Sequence, residues 1–336
     1  MIKPEIIQYF AAKYQAESES LEKVSSGENF IYSYQKNQQK YILRITSDAR
    51  RNQQQIAAEI EWILFINRHN GPAINLVAAA DEQYLQIYPE AQAEWYAYSY
   101  EMVAGDFPGE KSWDRKLFYQ YGKVAGNLHK LAKKYKPRQK ARHSWEEDDN
   151  LLACLSLSGE DQIISELCQK LVERLAKIEK NDSNFGLIHA DLHCGNMGFE
   201  QGEIKVYDFD DCQYDFYVRE LAVAIFYAYW HPHYLDSILA QDPTDSKFAL
   251  DFTEAFLQGY ISETEFEVEM LDYIEDYLKL QRIILYQVLS EESFANLGRW
   301  QQVKNKWRQE IISEQDYVNL DFASLKEKLW EKSVLI

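Results

Sequence analysis

The amino-acid sequence predicts an α+β protein in which a β-rich N-terminal part precedes a mostly helical C-terminal part. The first hundred residues contain several aromatic and β-branched runs of strand length, with one strongly periodic helix between them. Most later segments repeat apolar side chains at helical spacing instead. Gly105, Pro108 and Gly109 interrupt the pattern between the two parts, so we predict domains at 1–103 and 104–336.

The N-terminal part carries a predicted hairpin, a helix and two further strands. The runs ENFIYSYQ and KYILRIT flank the polar segment KNQQ, which is the pattern of a β-hairpin. The segment NQQQIAAEIEWILFINRHNG has helical periodicity, and Gly71 is its predicted stop. YLQIYP and WYAYSYEMV follow as strands.

The C-terminal part is predicted to be helical except around one central motif. DRKLFYQYGKVAGNLHKLAKKY and DQIISELCQKLVERLAKIEK are amphipathic, and residues 296–333 contain two more predicted helices. SETEFEVEMLDYIEDYLKL is predicted to be one helix that starts with a capping box of Ser262 and Glu265. Short strand-like runs, FGLIHAD, NMGFE and EIKVYDF, return only near the motif.

Charge and composition exclude several classes of function. The chain of 336 residues has a formal charge of −18, with 9 basic and 13 acidic side chains in 1–103 and 27 and 41 in the remainder. Such acidity repels phosphate backbones, so we expect no nucleic-acid partner. Four cysteines without a C-x-x-C pair indicate a reducing, cytoplasmic location. The longest apolar run, Leu221–Trp230, is half the roughly 20 residues that span a bilayer, so we expect a soluble protein without a membrane partner.

The stretch LIHADLHCGNMGF, residues 187–199, concentrates chemically active side chains. A zinc hydrolase would use His189 and His193, but a metalloprotease motif has a glutamate between two histidines on a helix, and Gly195 disfavours a helix here. A cysteine nucleophile would be Cys194, which no predicted helix N-terminus activates. Taken alone, His193 and Cys194 are better explained as a loop histidine and a small buried residue.

A third interpretation accounts for more of the motif. H-x-D-x-x-x-x-N followed by D-F is the arrangement of protein kinases. Phosphoryl transfer needs one carboxylate beside the acceptor hydroxyl, a second that holds Mg²⁺ against the ATP phosphates, and an amide oxygen that completes the metal's ligands. Asp191, Asp208 and Asn196 fill these roles in that order. Because Mg²⁺ prefers oxygen ligands, the nearby thiol is not a ligand.

The stretch LIHADLHCGNMGFEQGEIKVYDFDDCQYDFYVRELA resembles the core motif of the aminoglycoside phosphotransferase and choline kinase family. Members typically have H-G-D-L-H-P-G-N, a short hairpin, D-F-D/E-D and an acidic residue before L-A. Ala190, Cys194 and Glu220 replace the usual Gly, Pro and Asp. The resemblance implies a two-lobed protein-kinase-like fold that uses ATP and Mg²⁺, and supporting roles for His189, Asp210 and Glu220.

The resemblance also implies contacts to the phosphates. SSGENFIYSY resembles the family's phosphate-covering loop, in which Ser26 and Gly27 would offer backbone N–H groups. Arg44, in YILRIT, stands where a lysine usually contacts the α- and β-phosphates, and its fork is able to grip phosphate. We predict an ion pair between Arg44 and Glu59, with Glu61 as the alternative partner.

The remaining implications concern adenine and the acceptor. YEMVAGD resembles the hinge, where adenine would bind backbone groups from Glu101 to Val103. Family members phosphorylate small alcohols, many of them amine-bearing, so we expect a small-molecule hydroxyl acceptor, which an amine group would make cationic. The acidic segment 263–276 would attract such a cation, or it merely solvates a helix face. A stress-response type Ser/Thr protein kinase and a non-catalytic nucleotide-binding regulator stay open as alternatives.

Overall fold

The computed structural model describes residues 2–17, 19–27, 29–90, 93–105, 113–200, 202–228, 246–290, 298–318 and 320–333. The chain divides into two compact units. The first comprises Met1–Asp106, Tyr135–Arg142 and Met197–Asp210. The second comprises Phe107–Lys134, His143–Asn196 and Asp211–Ile336. Pro108 and Gly109, on which the predicted domain boundary partly depends, lie outside the described residues.

A six-stranded antiparallel sheet is the centre of the first unit. Its strands follow the order β1-β2-β3-β6-β4, and β5 pairs with another part of β6. Both strands of the predicted hairpin and both later strands are present, and β1 and the two-residue β4 are additional strands. The strand bounds are β1 Glu22–Ser26, β2 Phe30–Lys36, β3 Gln39–Ser47, β4 Leu76–Val77, β5 Gln86–Pro89 and β6 Glu94–Glu101.

The predicted hairpin turns more tightly than its sequence suggested. Only Asn37 and Gln38 separate β2 from β3, and their φ angles are 52° and 65°. Positive φ at both central residues is the type I′ turn, whose twist matches that of paired strands. Asparagine tolerates this conformation well, but glutamine does not favour it, so the sequence predicted the hairpin without its two-residue turn.

The helix α1 (Pro4–Lys13) was not predicted. Pro4 occupies a first-turn position, where its missing N–H costs nothing, and Ile6 and Phe10 are fully buried one turn apart. The two side chains belong to the same hydrophobic cluster as Leu43 of β3. A proline followed by apolar residues at helical spacing was therefore the available signal.

The predicted helix of the first unit is α2 (Gln53–Arg68). Asn52 caps it: its side chain accepts from the Gln55 N–H, and the Gln55 side chain accepts from the Asn52 N–H. Trp62 packs with Tyr135 at a ring distance of 4.7 Å, which ties the helix to the segment Tyr135–Arg142. A second hairpin, β8 (Met197–Glu200) and β9 (Glu203–Val206), completes this unit.

The second unit is mostly helical, as predicted. A two-stranded antiparallel ladder of β7 (Phe185–Ile188) and β10 (Gln213–Phe216) lies within it. The helices predicted within 296–333 are present. The helix bounds are α3 Arg115–Ala132, α4 Asp149–Leu155, α5 Gln162–Leu175, α6 Tyr217–Ala228, α7 Ser246–Ile261, α8 Ile274–Val288, α9 Gly298–Ile312 and α10 Phe322–Ser333.

One predicted helix is wrong at its start. The segment from Ser262 does not begin a helix, because the Ser262 hydroxyl donates to the Gly259 carbonyl (2.6 Å) at the end of α7. A 3₁₀ turn at Val268–Tyr273 follows, and α8 begins only at Ile274. A serine side chain hydrogen-bonds the unpaired backbone groups at either end of a helix, so the position of Ser262 alone did not distinguish a helix start from a helix end. No helix within the described ranges is long and apolar enough to cross a membrane.

Candidate active site

Arg44 is the centre of a buried charge cluster in the first unit. It lies on the central strand β3, and its side chain is 3% exposed. Its Nη1 lies 2.6 Å from Glu59 Oε1 on α2 and 2.5 Å from the Tyr98 hydroxyl on β6. The Tyr98 hydroxyl in turn donates to the same Glu59 oxygen at 2.7 Å. The predicted Arg44–Glu59 pair is therefore present, whereas Glu61 accepts from a backbone N–H.

The other half of the Arg44 guanidinium faces two aspartates that follow β9. Its Nη2 lies 2.6 Å from Asp210 Oδ1 and 3.8 Å from Asp208 Oδ1. The Asp208 side chain is 49% exposed, and its φ of 61° is left-handed. Such a conformation costs energy for residues other than glycine, although aspartate tolerates it better than most, and it recurs at functional sites. Arg44 thus connects a buried carboxylate on α2 to a carboxylate that is accessible to a ligand.

Asp210 binds more arginines than the sequence indicated. Besides Arg44, it contacts Arg50 at 2.5 Å and Arg51 at 3.7 Å, and its carbonyl accepts from Arg142. Burial alone would raise the pKa of the Asp210 carboxyl, but these guanidinium groups hold it well below its ordinary value. The carboxylate therefore stays charged and fixes the D-F-D turn to β3 and to the start of α2.

The residues predicted to bind the nucleotide through their backbone lie at the turn between β1 and β2 and at the end of β6. Ser26 ends β1, and Gly27 follows it in the turn to β2, where a side chain at Gly27 would meet nothing within 4 Å. The Met102 N–H donates to the Lys40 carbonyl, so the backbone polar groups of Glu101 point away from β3. On that side the Glu101 N–H donates to the Asn75 carbonyl (2.9 Å).

The second unit presents Asp191 in the loop that follows β7. The Asn196 amide donates to the Asp191 carbonyl and to its Oδ2, both at 2.9 Å. Burial would raise the pKa of the Asp191 carboxyl, but the neighbouring His193 and Asn196 hold it below its ordinary value. Asp191 is therefore ionised at neutral pH and available as a hydrogen-bond acceptor. Because the Asn196 nitrogen is used here, its amide oxygen is the atom left for a metal.

His193, which the sequence analysis explained as a loop histidine, lies in this loop and contacts Asp191 directly. Its Nε2 lies 3.2 Å from Asp191 Oδ2, and its Nδ1 accepts the Gly195 N–H at 2.9 Å. The Asp191 carboxylate favours a proton on Nε2, and the Gly195 N–H leaves Nδ1 as the acceptor of the ring. The signal in the sequence was the i, i+2 spacing of Asp191 and His193 in a loop that folds back on itself.

Glu220, the first-turn glutamate of α6, supports the same loop from within the second unit. Its buried carboxylate accepts from the Ala190 N–H at 2.7 Å and contacts His129 Nε2 at 3.0 Å. Ala190 has a φ of 69°, the left-handed conformation that glycine adopts without strain, so the usual glycine of this motif has a conformational reason. His129 lies on α3 and was not predicted to take part. His189 is buried, and its Nδ1 accepts the Asp191 N–H at 3.3 Å.

Glu220→Asp is expected to lower the free energy of unfolding by about 1–3 kcal/mol. Its two carboxylate oxygens reach two donors on different elements, and a side chain shortened by one methylene loses at least one of them. Urea denaturation measures the change. Glu220→Gln is the matched control, because it keeps the length and one acceptor. An Asp variant as stable as the wild type would contradict this account of the loop support.

The other predicted chemistries find no support in the described residues. No group of three or more His, Cys, Asp or Glu side chains there is placed to hold a metal, as a zinc hydrolase would need. In the acidic segment 263–276 most carboxylates already contact protein groups: Glu263 pairs with Lys123, Asp272 with Lys326 and Asp276 with Arg174. The segment therefore behaves as a structural and solvated surface rather than as a free cation site.

Comparisons with known proteins agree with the kinase interpretation of the motif. A family model described as "Phosphotransferase enzyme family" matches residues 20–260. Amicoumacin kinase of Bacillus subtilis (strain 168) is 29% identical over 287 residues, which cover 84% of this chain and 83% of the relative.

Solved structures confirm the predicted fold class. The structure of amicoumacin kinase hAmiN in complex with AMP-PNP, Ca²⁺ and Ami superposes with a TM-score of 0.88 at 25% identity, covering 97% of both chains. A microcompartment-associated aminopropanol kinase superposes with a TM-score of 0.73 at 20% identity, covering 95% of this chain and 100% of the other. The protein-kinase-like fold class, with a β-rich N-terminal part and a mostly helical remainder, is therefore shown.

Proposed function

The chain belongs to the phosphotransferase enzyme family and is a small-molecule kinase, and we propose that Asp191 is the base that orients and deprotonates the acceptor hydroxyl. The observation that carries this proposal is the doubly held carboxylate, which His193 and Asn196 keep ionised and in one orientation. A positioned carboxylate is what a loose phosphoryl-transfer transition state requires, because catalysis there is mostly positioning and electrostatics.

ATP is the phosphoryl donor and a divalent cation, Mg²⁺, its cofactor, as the nucleotide analogue and Ca²⁺ in the similar amicoumacin kinase structure support. We propose that Asp208 and Asn196 supply protein oxygens to that cation. The donor set fits a hard cation: a half-exposed carboxylate and an amide oxygen whose nitrogen is already engaged. The cation would neutralise charge on the phosphates, whereas the residues themselves only hold and orient it.

We propose that the nucleotide binds the groups predicted from the sequence. Ser26 and Gly27 would contact phosphate oxygens through their backbone N–H groups, and the backbone from Glu101 to Val103 would bind adenine. Arg44 would contribute positive charge to the phosphates. Because its guanidinium already pairs with buried carboxylates, its charge would be shared between them and the nucleotide.

The supporting roles and the domain boundary also remain proposals. Glu220 and His189 would hold the catalytic loop, and Asp210 would hold the turn that carries Asp208, as their contacts support. We propose that residues 1–103 form the nucleotide-binding lobe and residues 104–336 the catalytic and acceptor-binding lobe. A cytoplasmic location, with no nucleic-acid and no membrane partner, is proposed from the composition.

The acceptor is a small molecule that carries a hydroxyl group, and we propose that it also carries an amine. Amicoumacin is the first candidate, because the amicoumacin kinases are similar to nearly the whole chain. None of the comparisons favours a protein acceptor. A non-catalytic regulator would have no physical need for Asp191, Asn196 and Asp208 together.

We expect the purified protein to release ADP from MgATP when the right acceptor is present. The panel would hold amicoumacin, aminoglycosides, choline, ethanolamine, homoserine, an amine-free alcohol such as glycerol, and a generic Ser/Thr protein. Asp191→Asn, run beside the wild type, identifies acceptor-independent signal. Phosphorylation confined to amine-bearing alcohols supports the proposal, and equal rates with glycerol would show that the acceptor needs no amine. MgATP binding without transfer to any acceptor would favour the regulator.

A further inference from the structure

In the function proposed above, His193 enters only as one of the two side chains that hold Asp191. Its ring lies against Tyr227 of α6, at a centroid distance of 4.6 Å, and its Nε2 faces Asp191 Oδ2 at 3.2 Å. The Gly195 N–H donates to the other ring nitrogen. An imidazole that accepts at Nδ1 carries a proton on Nε2, so Nε2 is the atom that donates to the carboxylate.

The local backbone is shaped to keep the ring in this position. A Cβ added at Gly195 would lie 2.6 Å from His193 Cε1 and 2.8 Å from Nδ1, closer than real side chains allow. Gly195 has no left-handed φ that would demand glycine, so what it provides here is space. The ring is therefore held by a hydrogen bond at one nitrogen and by an aromatic contact, and the absence of a side chain at Gly195 leaves the space that the ring occupies.

The two donors to Asp191 converge on one of its oxygens. His193 Nε2 and Asn196 Nδ2 both approach Oδ2, at 3.2 and 2.9 Å. Among the described residues, the donors to this carboxylate approach Oδ2, and none contacts Oδ1. When a carboxylate accepts hydrogen bonds at only one of its oxygens, the other oxygen is held in a fixed direction. That oxygen is then the stronger remaining acceptor.

From this geometry we infer that His193 is a positioning residue, which holds Asp191 through Oδ2 and reserves Oδ1 for the acceptor hydroxyl. The inference rests on the proposed role of Asp191 and deepens it. His193 does not touch the phosphates or the acceptor in this scheme. Without it the carboxylate keeps only the Asn196 bond and rotates more freely, and misplacement of a catalytic group by about 1 Å costs on the order of 100-fold in rate.

Three variants separate this role from a structural one. His193→Ala removes the donor, His193→Gln places an amide nitrogen near the position of Nε2, and Gly195→Ala displaces the ring while leaving it in the chain. We expect kcat to fall about 10- to 100-fold in His193→Ala and in Gly195→Ala, with the KM for MgATP unchanged. We expect His193→Gln to recover most of the loss. Urea denaturation of each variant checks that the fold is retained.

The result that would overturn the inference is a His193→Ala enzyme with wild-type kcat, or a loss that His193→Gln does not recover in a folded protein. Long-range ¹H–¹⁵N correlation of the wild-type ring gives a readout that needs no activity. It is expected to show a proton on Nε2, and a ring with a bare Nε2 would overturn the inference as well. Failure of the proposed function looks different: the wild type and Asp191→Asn would then have the same activity.

Discussion

Asp191→Asn is expected to lower the turnover of the acceptor by about 100- to 10,000-fold while nucleotide binding stays nearly intact. The amide has the size of the carboxylate and still accepts from Asn196 and His193, so the loop keeps its shape. It cannot take the proton of a hydroxyl group, however. Steady-state kinetics with the identified acceptor measures the first effect, and titration with a fluorescent nucleotide analogue measures the second.

Asp182→Asn is the matched control, because Asp182 is an exposed aspartate of the same unit outside the catalytic loop. It makes the same change of charge and should leave kcat and nucleotide affinity at their wild-type values. An Asp191→Asn enzyme that turns over as fast as this control would remove Asp191 from the proposed role. Loss of nucleotide binding in Asp191→Asn alone would instead indicate that the loop contributes to the ATP site.

Much of the site was predictable because its residues are close in sequence. Asp191 and Asn196 are five residues apart in one loop, and a short hairpin leads from there to Asp208. The strand that carries Arg44 and the helix that carries Glu59 follow each other directly, and the hydrophobic pattern predicted both elements, whereas the pairing of the two side chains was implied by the family resemblance.

What escaped prediction depends on contacts between distant segments or on local choices that propensity does not decide. The Arg50–Asp210 pair spans 160 positions, and the His129–Glu220 pair spans 91, so neither has a periodic signal. Ser262 was expected to start a helix and instead finishes the preceding one, because a hydroxyl serves both ends equally well.

Arg44→Lys is expected to lower the free energy of unfolding by about 3 kcal/mol and to weaken nucleotide binding. The guanidinium contacts Glu59 through Nη1 and Asp210 through Nη2 at the same distance of 2.6 Å. An ammonium group is a single point and cannot reach both, so one buried carboxylate would lose its main partner. Urea denaturation followed by tryptophan fluorescence measures the stability, and nucleotide titration measures the affinity.

Arg68→Lys controls for the exchange itself, since Arg68 is exposed at the end of α2, and it should leave both quantities unchanged. Combining Arg44→Lys with Glu59→Gln closes a double-mutant cycle. We expect the double variant to be less destabilised than the sum of the single changes, because the remaining ammonium then serves Asp210 without a competing buried charge. Additive effects would show that Arg44 and Glu59 do not act as a pair.

The same contacts argue that arginine, in place of the family's usual lysine, is fitted to this chain. Asp210 contacts Arg44 together with Arg50 and Arg51. A lysine at position 44 could not contact both Glu59 and Asp210, so only Arg50 and Arg51 would then connect the D-F-D turn to the start of α2. The fork keeps Glu59 and Asp210 at opposite ends of one rigid, permanently charged plane. If Arg44→Lys binds nucleotide as tightly as the wild type, that plane serves only to join these segments, and the phosphates depend on Ser26, Gly27 and the metal.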